Sequence, residues 1–449
     1  MFCYRICKWC SLLLIINLIL SSCSVQKQIS KSAKLLIEDP AIANAHIGIS
    51  VYDPSSNRYW YGYQSDKYFT PASNTKIFSC YAAMKYLGDS LIAFQFAEND
   101  TALFIIPSGD PTFLHPGYKS QPAVQFLQKT KKKIYITDNN WKDNAWGSGW
   151  SWDDYNGGYM AERSALPVYG NVIKWIQSKD TSEEAVLTNQ QVISVFSEPE
   201  INWPVSFNAE IHDSVFRVER TLTGNEFKIN QGNEAYAEQE IPFITNGAHS
   251  ALELLKDTVG KEIILNNKFK INRPLSVLHS QPLDSMLKPM MYRSDNFFAE
   301  QSLLMVSNRL LGYMNDEKVI DTLLKTDLKD LPQKPNWADG SGLSRYDAFT
   351  PQDFVAILNK MKNEFGIKRM QAIFPTGGTG TLKNYYKTDS GYFFAKTGSL
   401  SDVIALSGFF YTRKNKLLFF SVLVNNHHSA PFMVRKAVER FLKGIRNKY

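Results

Sequence analysis

The sequence predicts an α+β protein: an antiparallel sheet flanked by helices at both ends, interrupted by a large, mainly β insertion. Three observations predict it. Near the N-terminus, apolar runs at 45–52 and 59–63 flank Asp53-Pro54-Ser55-Ser56-Asn57, a hairpin signal. Near the C-terminus, apolar runs at 404–411 and 417–424 lie about the turn Arg413-Lys414-Asn415 and lead into an amphipathic helix over 431–445. Between Leu91 and Glu262 the chain turns instead to short β-type runs, at 102–107, 133–137 and 191–196. A length of 449 residues allows two or three domains, each with its own core.

Apolar residues make up 44% and charged ones 21%, with 28 Phe and 22 Tyr, which excludes a largely disordered chain. The net charge of +7 is modest and the basic residues are scattered in sequence, the longest run being Lys131 to Lys133, so no nucleic-acid stripe is expected. Cys3, Cys7, Cys10 and Cys23 precede the body of the chain, which keeps only Cys80; no disulfide framework is possible. The seven histidines show no zinc spacing, and no metal or other cofactor is expected.

The first element is a basic segment with Arg5 and Lys8, followed by an apolar run at 11–20 that is too short to span a bilayer comfortably. It reads as an export signal ending in Leu20-Ser21-Ser22-Cys23. A helix is expected over 32–38, and the hairpin after it feeds the stretch TPASNTKIFSCYAAMKYL, residues 70–87. There Ile77, Phe78, Cys80, Tyr81, Met84 and Leu87 recur at helical spacing, which puts Ser73 and Lys76 in the first turn of a buried helix, on one face. An unprotonated lysine one turn from a serine can take its proton, and the helix N-terminus adds N-H groups and a positive dipole end. The spacing alone is unselective: Ser24 with Lys27 and Ser285 with Lys288 repeat it.

The insertion carries Ser108-Gly109-Asp110-Pro111, read as a turn, and Gly149-Trp150-Ser151-Trp152-Asp153-Asp154, which fits either a turn or a substrate contact. Asp153 and Asp154 point to opposite sides wherever the chain is extended. Helical periodicity returns over 250–255 and 283–304, the latter enclosing Ser294-Asp295-Asn296. A glycine-rich loop, Asp339-Gly340-Ser341-Gly342-Leu343-Ser344-Arg345, precedes a helix over 351–361 capped by Thr350. Residues 392–395 then run into Lys396-Thr397-Gly398-Ser399.

Ser-x-x-Lys at a helix start, Ser-x-Asn between helices and Lys-Thr-Gly on a strand are each common; Ser55 to Asn57 and Ser206 to Asn208 also match the second. Their order is specific. It resembles the serine penicillin-recognising enzymes, which include penicillin-binding proteins and serine β-lactamases. With 221 positions separating Ser73 from Ser294, the chain looks like the low-molecular-mass class C penicillin-binding proteins, D-alanyl-D-alanine carboxypeptidases and endopeptidases that carry a large insertion. Ser294 to Gln301, Asp339 to Arg345, Gly380-Thr381-Leu382 and Leu406-Ser407-Gly408 also match, so the resemblance covers nearly the whole mature chain. It departs at Pro107-Ser108-Gly109-Asp110, where the family usually shows more glycines.

The resemblance implies a penicillin-binding-protein-like transpeptidase domain from 24–90 plus 261–449. It also implies an inserted region, 91–260, of a first domain (91–170 plus 241–260) and a nested second one (171–240). The implied chemistry is acyl transfer on peptidoglycan stem peptides. Ser73 is the nucleophile and Lys76 its base, kept neutral by desolvation and by the charge of Lys396; Ser294 relays a proton to the leaving D-alanine. Asn296 positions the acyl peptide, Lys396 and Thr397 hold the terminal carboxylate, and the N-H groups of Ser73 and Ser399 form the oxyanion hole. Arg345, Asp153 and Asp154 are implied contacts to the stem peptide, although Arg345 also fits a surface turn. β-Lactams are the implied covalent inhibitors. Cys23 resembles the lipid-bearing residue of a bacterial lipoprotein, which would hold the enzyme on a membrane on the periplasmic side of the cell envelope; an ordinary signal peptide cut nearby is the alternative. Two other functions share these motifs. The long insertion speaks against a β-lactamase, and the six intact motif residues speak against a non-catalytic penicillin-sensing or cell-wall-binding lipoprotein.

Overall fold

The computed structural model describes residues 27–179, 193–208, 215–269, 271 and 273–449. A five-stranded antiparallel sheet joins the two ends of the chain. Its strands are β1 (His46–Asp53), β2 (Arg58–Tyr63), β3 (Phe393–Leu400), β4 (Val403–Tyr411) and β5 (Leu417–Asn425), in the order β3-β4-β5-β1-β2. His46 pairs with Asn425, and Lys396 with Ser407. The central strands are apolar almost throughout because helices cover both faces of the sheet.

One face packs against helices Lys76–Tyr86, Leu283–Tyr292, Asn296–Leu311 and Pro351–Phe365. Thr350 and Asp353 cap the last of these reciprocally. The other face is covered by a helix over 27–37, five residues earlier in its start than expected, and by helix Pro431–Lys448. The periodic run 283–304 is two helices. Ser294 sits between them at φ 62, and Asp295 starts the second by accepting a bond from the Phe298 amide at 3.0 Å.

The inserted region has a hydrophobic core of its own. Its main sheet combines strands Ser90–Glu98, Ala102–Pro107, Lys133–Ile136, Ile263–Leu265 and Ser276–Pro282. Residues 172–242 add two three-stranded sheets. Because Ser276–Pro282 pairs antiparallel with Ser90–Glu98, the chain re-enters the catalytic body at Leu283 rather than at 261. Of the two late strands, Ile263–Leu265 is too short and Ser276–Pro282 too polar to declare a period of its own.

Candidate active site

Ser73 lies in a single 3-10 turn, Ala72–Thr75, and the α-helix begins at Lys76. The expected first α-turn is therefore wound tighter, after a left-handed Ala72 at φ 49. Long-range bonds pin this turn to the sheet. The Asn425 side chain bonds both the amide (2.8 Å) and the carbonyl (3.0 Å) of Thr70, and Asn74 donates to the Ser407 hydroxyl at 2.7 Å. Two glycines let the other motifs touch it. A Cβ on Gly398 would stand 2.6 Å from the Pro71 carbonyl oxygen and 3.1 Å from the Ser73 nitrogen. One on Gly342, at φ 79, would stand 1.9 Å from the Ala72 oxygen.

The fully buried Lys76 places Nζ 2.8 Å from Ser73 Oγ, 2.6 Å from Asn296 Oδ1 and 2.8 Å from the Ser341 carbonyl oxygen. Burial lowers its pKa to about 8, opposed by the nearby carboxylates of Asp339 and then Glu300. Lys396, equally buried, donates to Ser294 Oγ and to the Thr397 carbonyl, each at 2.7 Å. Burial, and then the charge of Lys76, holds the Lys396 pKa well below that of an ordinary lysine. The expectation that Lys396 neutralises Lys76 is thus reversed. Acidic neighbours oppose the lowering at Lys76, while at Lys396 the charge of Lys76 adds to it.

Asn296 also donates to the Tyr159 carbonyl at 2.9 Å, tying the second motif to the inserted region. Thr397 is half-buried on β3, and the exposed Ser399 hydroxyl accepts a bond from Arg435 at 2.7 Å. Arg345 lies on the surface, paired with Asp402 of the β3–β4 turn at 2.8 Å, while its amide bonds Gly149. Asp153 and Asp154 occupy a 3-10 turn, Trp152–Asp154, in keeping with the turn the sequence allowed there. Asp153 is exposed; Asp154 bonds the Tyr159 hydroxyl, whose pKa burial and then Asp154 push up to about 12. Cys23, and Ser24 of the competing Ser24–Lys27 match, lie outside the described residues. The other competitors are remote from this site: Ser285 bonds the Pro282 carbonyl while Lys288 lies over the Tyr292 ring, and Ser55 bonds Asp53 in the β1–β2 turn.

Sequence reasoning named no role for the residues that hold the motifs together. Glu300 accepts the Ser341 amide at 2.7 Å and faces the buried Arg163, which also bridges Asp143 and Asp316. Burial and then Asp339 raise the Glu300 pKa to about 8. Gln301 donates to the carbonyls of Gly109 and Ser164, both at 2.9 Å. Asp339 accepts from the amides of Gly342 (2.6 Å) and Ser344 (2.7 Å) and from the Trp150 indole (2.9 Å). One signal was available. Glu300 and Gln301 are adjacent in a helix buried on every side, where polar side chains persist only with partners.

The arrangement can activate a serine hydroxyl through a partly neutral amine and move a proton through a second hydroxyl bonded to a second amine. Comparisons with known proteins agree. The D-Ala-D-Ala carboxypeptidase 3 (S13) family matches residues 28–445. The D-alanyl-D-alanine carboxypeptidase DacB of Haemophilus influenzae is 23% identical, with 90% of each chain covered. The D-alanyl-D-alanine carboxypeptidase of Actinomadura sp. strain R39 is 24% identical over 90% of this chain and 82% of its own. The crystal structure of penicillin binding protein 4 (dacB) from H. influenzae superposes with a TM-score of 0.72 at 19% identity, covering 94% of this chain and 98% of that one.

Proposed function

Because the chain belongs to the D-Ala-D-Ala carboxypeptidase 3 (S13) family, and is therefore a serine-type D-Ala-D-Ala carboxypeptidase/D,D-endopeptidase of peptidoglycan that binds β-lactams, we propose how its residues divide the work. Ser73 Oγ attacks the carbonyl carbon of the penultimate D-alanine while Lys76 Nζ takes the hydroxyl proton. The N-H groups of Ser73 and Ser399 receive the developing oxyanion, a contribution of about 3 kcal/mol per donor. Collapse breaks the C–N bond. Ser294 passes its proton to the leaving amine and is refilled by the proton that Lys76 took from Ser73. Water then attacks the Ser73 ester while Lys76, neutral again, takes the water proton and returns it to the departing Ser73 oxygen. Asn296 orients the acyl peptide, and Lys396 and Thr397 bind the terminal carboxylate.

The observation that carries this reading is Lys76 itself, fully buried, 2.8 Å from the Ser73 hydroxyl, with its pKa lowered to about 8. The test is to label the protein with a penicillin and locate the adduct by peptide mass. An adduct anywhere but Ser73 would sink the assignment. A long-lived adduct separates this enzyme from a β-lactamase, which would turn the drug over.

Asp154, which bonds the Tyr159 hydroxyl, and Arg345, which pairs with Asp402 of the β3–β4 turn, are assigned to the stem peptide. Asp154→Asn is expected to raise KM for a peptide with a free amine while leaving penicillin acylation unchanged. The Leu20-Ser21-Ser22-Cys23 sequence supports cleavage before Cys23, lipid attachment there, and a membrane-bound site on the periplasmic side. The mass of the N-terminal peptide of protein extracted from membranes tests this, an unmodified cysteine or a different terminus being the contrary result.

A further inference from the structure

Basic residues that are scattered in the sequence converge in the fold on one layer. The helix over 27–37 carries Lys27, Lys31 and Lys34 and no acid; helix Pro431–Lys448 carries six Lys and Arg and a single acid, the buried Glu439. Nine positive charges less one negative give these two helices +8, in a chain whose total is +7.

They lie side by side and antiparallel. Tyr449 bonds Gln28 at 3.2 Å, Lys448 approaches the Ser32 hydroxyl at 3.5 Å, and Arg440 pairs with Asp39 at 2.6 Å. Their apolar stripes, including Ile29, Ala33 and Leu36 on one and Val434, Val438 and Phe441 on the other, are buried against the sheet. That leaves Lys31, Lys34, Lys436 and Arg440 exposed on the outward side, with Leu35 69% and Phe432 62% exposed beside them. Three acids share this side and pair with three of these cations, Glu38 with Lys34, Asp39 with Arg440 and Glu439 with Lys436; beyond those pairs the layer still carries the exposed Lys27, Lys31 and Lys448. Lysines and arginines around exposed leucine and phenylalanine form the side-chain pattern of a protein face that lies in a headgroup layer.

The chain also enters the fold here. Lys27 is four residues past Cys23, a reach of at most about 14 Å when extended.

We propose that this two-helix layer docks on an anionic phospholipid surface and fixes which side of the enzyme faces the membrane. The inference rests on the lipid-anchor reading: acyl chains would hold the enzyme near the bilayer, and the basic layer would set its orientation. Phosphate headgroups complement the surplus charge, and juxtamembrane basic clusters concentrate at such surfaces within a Debye length.

The test uses the full chain purified from membranes and returned to vesicles of phosphatidylcholine alone or with a quarter phosphatidylglycerol. Lysines are acetylated briefly and read by peptide mass. Labelling of Lys31, Lys34 and Lys436 is expected to fall at least threefold on the phosphatidylglycerol vesicles and to recover when added salt, about 0.5 M, shortens the screening length. Exposed Lys228 of the inserted region serves as the unchanged reference. Equal labelling on both vesicles overturns the docking face, as does protection by soluble peptidoglycan fragments without lipid. Failure to sediment with phosphatidylcholine vesicles refutes the anchor instead, and the footprint on phosphatidylglycerol vesicles then still decides the face. Lys31→Glu/Lys34→Glu/Lys436→Glu should sediment normally and cleave a soluble peptide at the parental rate, yet lose the salt-sensitive protection at Lys27.

Discussion

The Ser341 amide donates to Glu300 at 2.7 Å while the Ser341 carbonyl accepts Lys76 at 2.8 Å, so the catalytic lysine is held by a loop that a buried glutamate holds in turn. Burial and then the charge of Asp339 raise the Glu300 pKa to about 8, opposed by Arg163. Glu300→Gln keeps an acceptor for the amide and is expected to acylate within about threefold of the parent. Glu300→Ala removes it, leaves the Ser341 N-H unpaired and opens a cavity, with an expected loss of about 2–4 kcal/mol and a fall in acylation of at least about tenfold. Urea unfolding and penicillin-labelling rates check both.

Lys76 governs the pH dependence. Only its free base can take the Ser73 proton, so acylation should rise about tenfold per pH unit and level off above about pH 8. The same shift fixes a stability trend. Between about 8 and the ordinary 10.5 the unfolded chain binds the extra proton, so stability rises with pH there. Below that window the buried site carries a constant penalty of about 3 kcal/mol. Lys76→Met should abolish acylation, and its stability relative to the parent should decline by about that amount as pH climbs through the window. A difference independent of pH would refute the assigned shift.

Gly398→Ala should uncouple fold from activity. The added carbon meets backbone, at 2.6 Å from Pro71 and 3.1 Å from Ser73, so β3 must move away from the nucleophile. The expected result is a fall in acylation of about a hundredfold with about 1–3 kcal/mol of destabilisation. Gly444→Ala provides the contrast: its nearest neighbour would be Ser32 Oγ at 4.0 Å, and a helix-interior alanine there should add about 0.5–1 kcal/mol. Thermal unfolding of the pair measures the difference.

Arg435 reaches the Ser399 hydroxyl from the start of the last helix, 2.7 Å away, at the end of the strand assigned to the substrate carboxylate. As a partly exposed bond it contributes little to stability, within about 1 kcal/mol. Arg435→Ala is expected to raise KM for a D-Ala-D-Ala peptide several-fold with kcat nearly unchanged, and Arg435→Lys to recover part of the loss. Steady-state kinetics on a soluble peptide read the split.

The strands of the catalytic sheet and the helices beside it were legible because each carries its own period. The motif triad was legible because it is read in order along the chain. Neither property reports distance in space. Arg163 meets Glu300 and Asp316 across more than a hundred positions, and no local pattern marks those partners. The 3-10 turn at Ser73 was hidden because helical spacing cannot distinguish a tight first turn from a regular one. The sense of the influence between Lys76 and Lys396 depends on carboxylates from two segments far apart in sequence, Asp295 with Glu300 and Asp339 with Asp347.

The pairing of β1 with β5 joins His46 to Asn425 across the whole inserted region. A ribosome or a translocon delivers β1 and the nucleophile early and must then wait for almost the whole chain before the strand between β1 and β4 exists. The inserted region has its own sheets and core and can fold in that interval. Ser73 meanwhile lacks the partners at Asn425, Ser407 and Gly398 that pin its turn. The site is thus incomplete until β5 has been made, and chains that stop before it carry a nucleophile without the contacts that pin its turn.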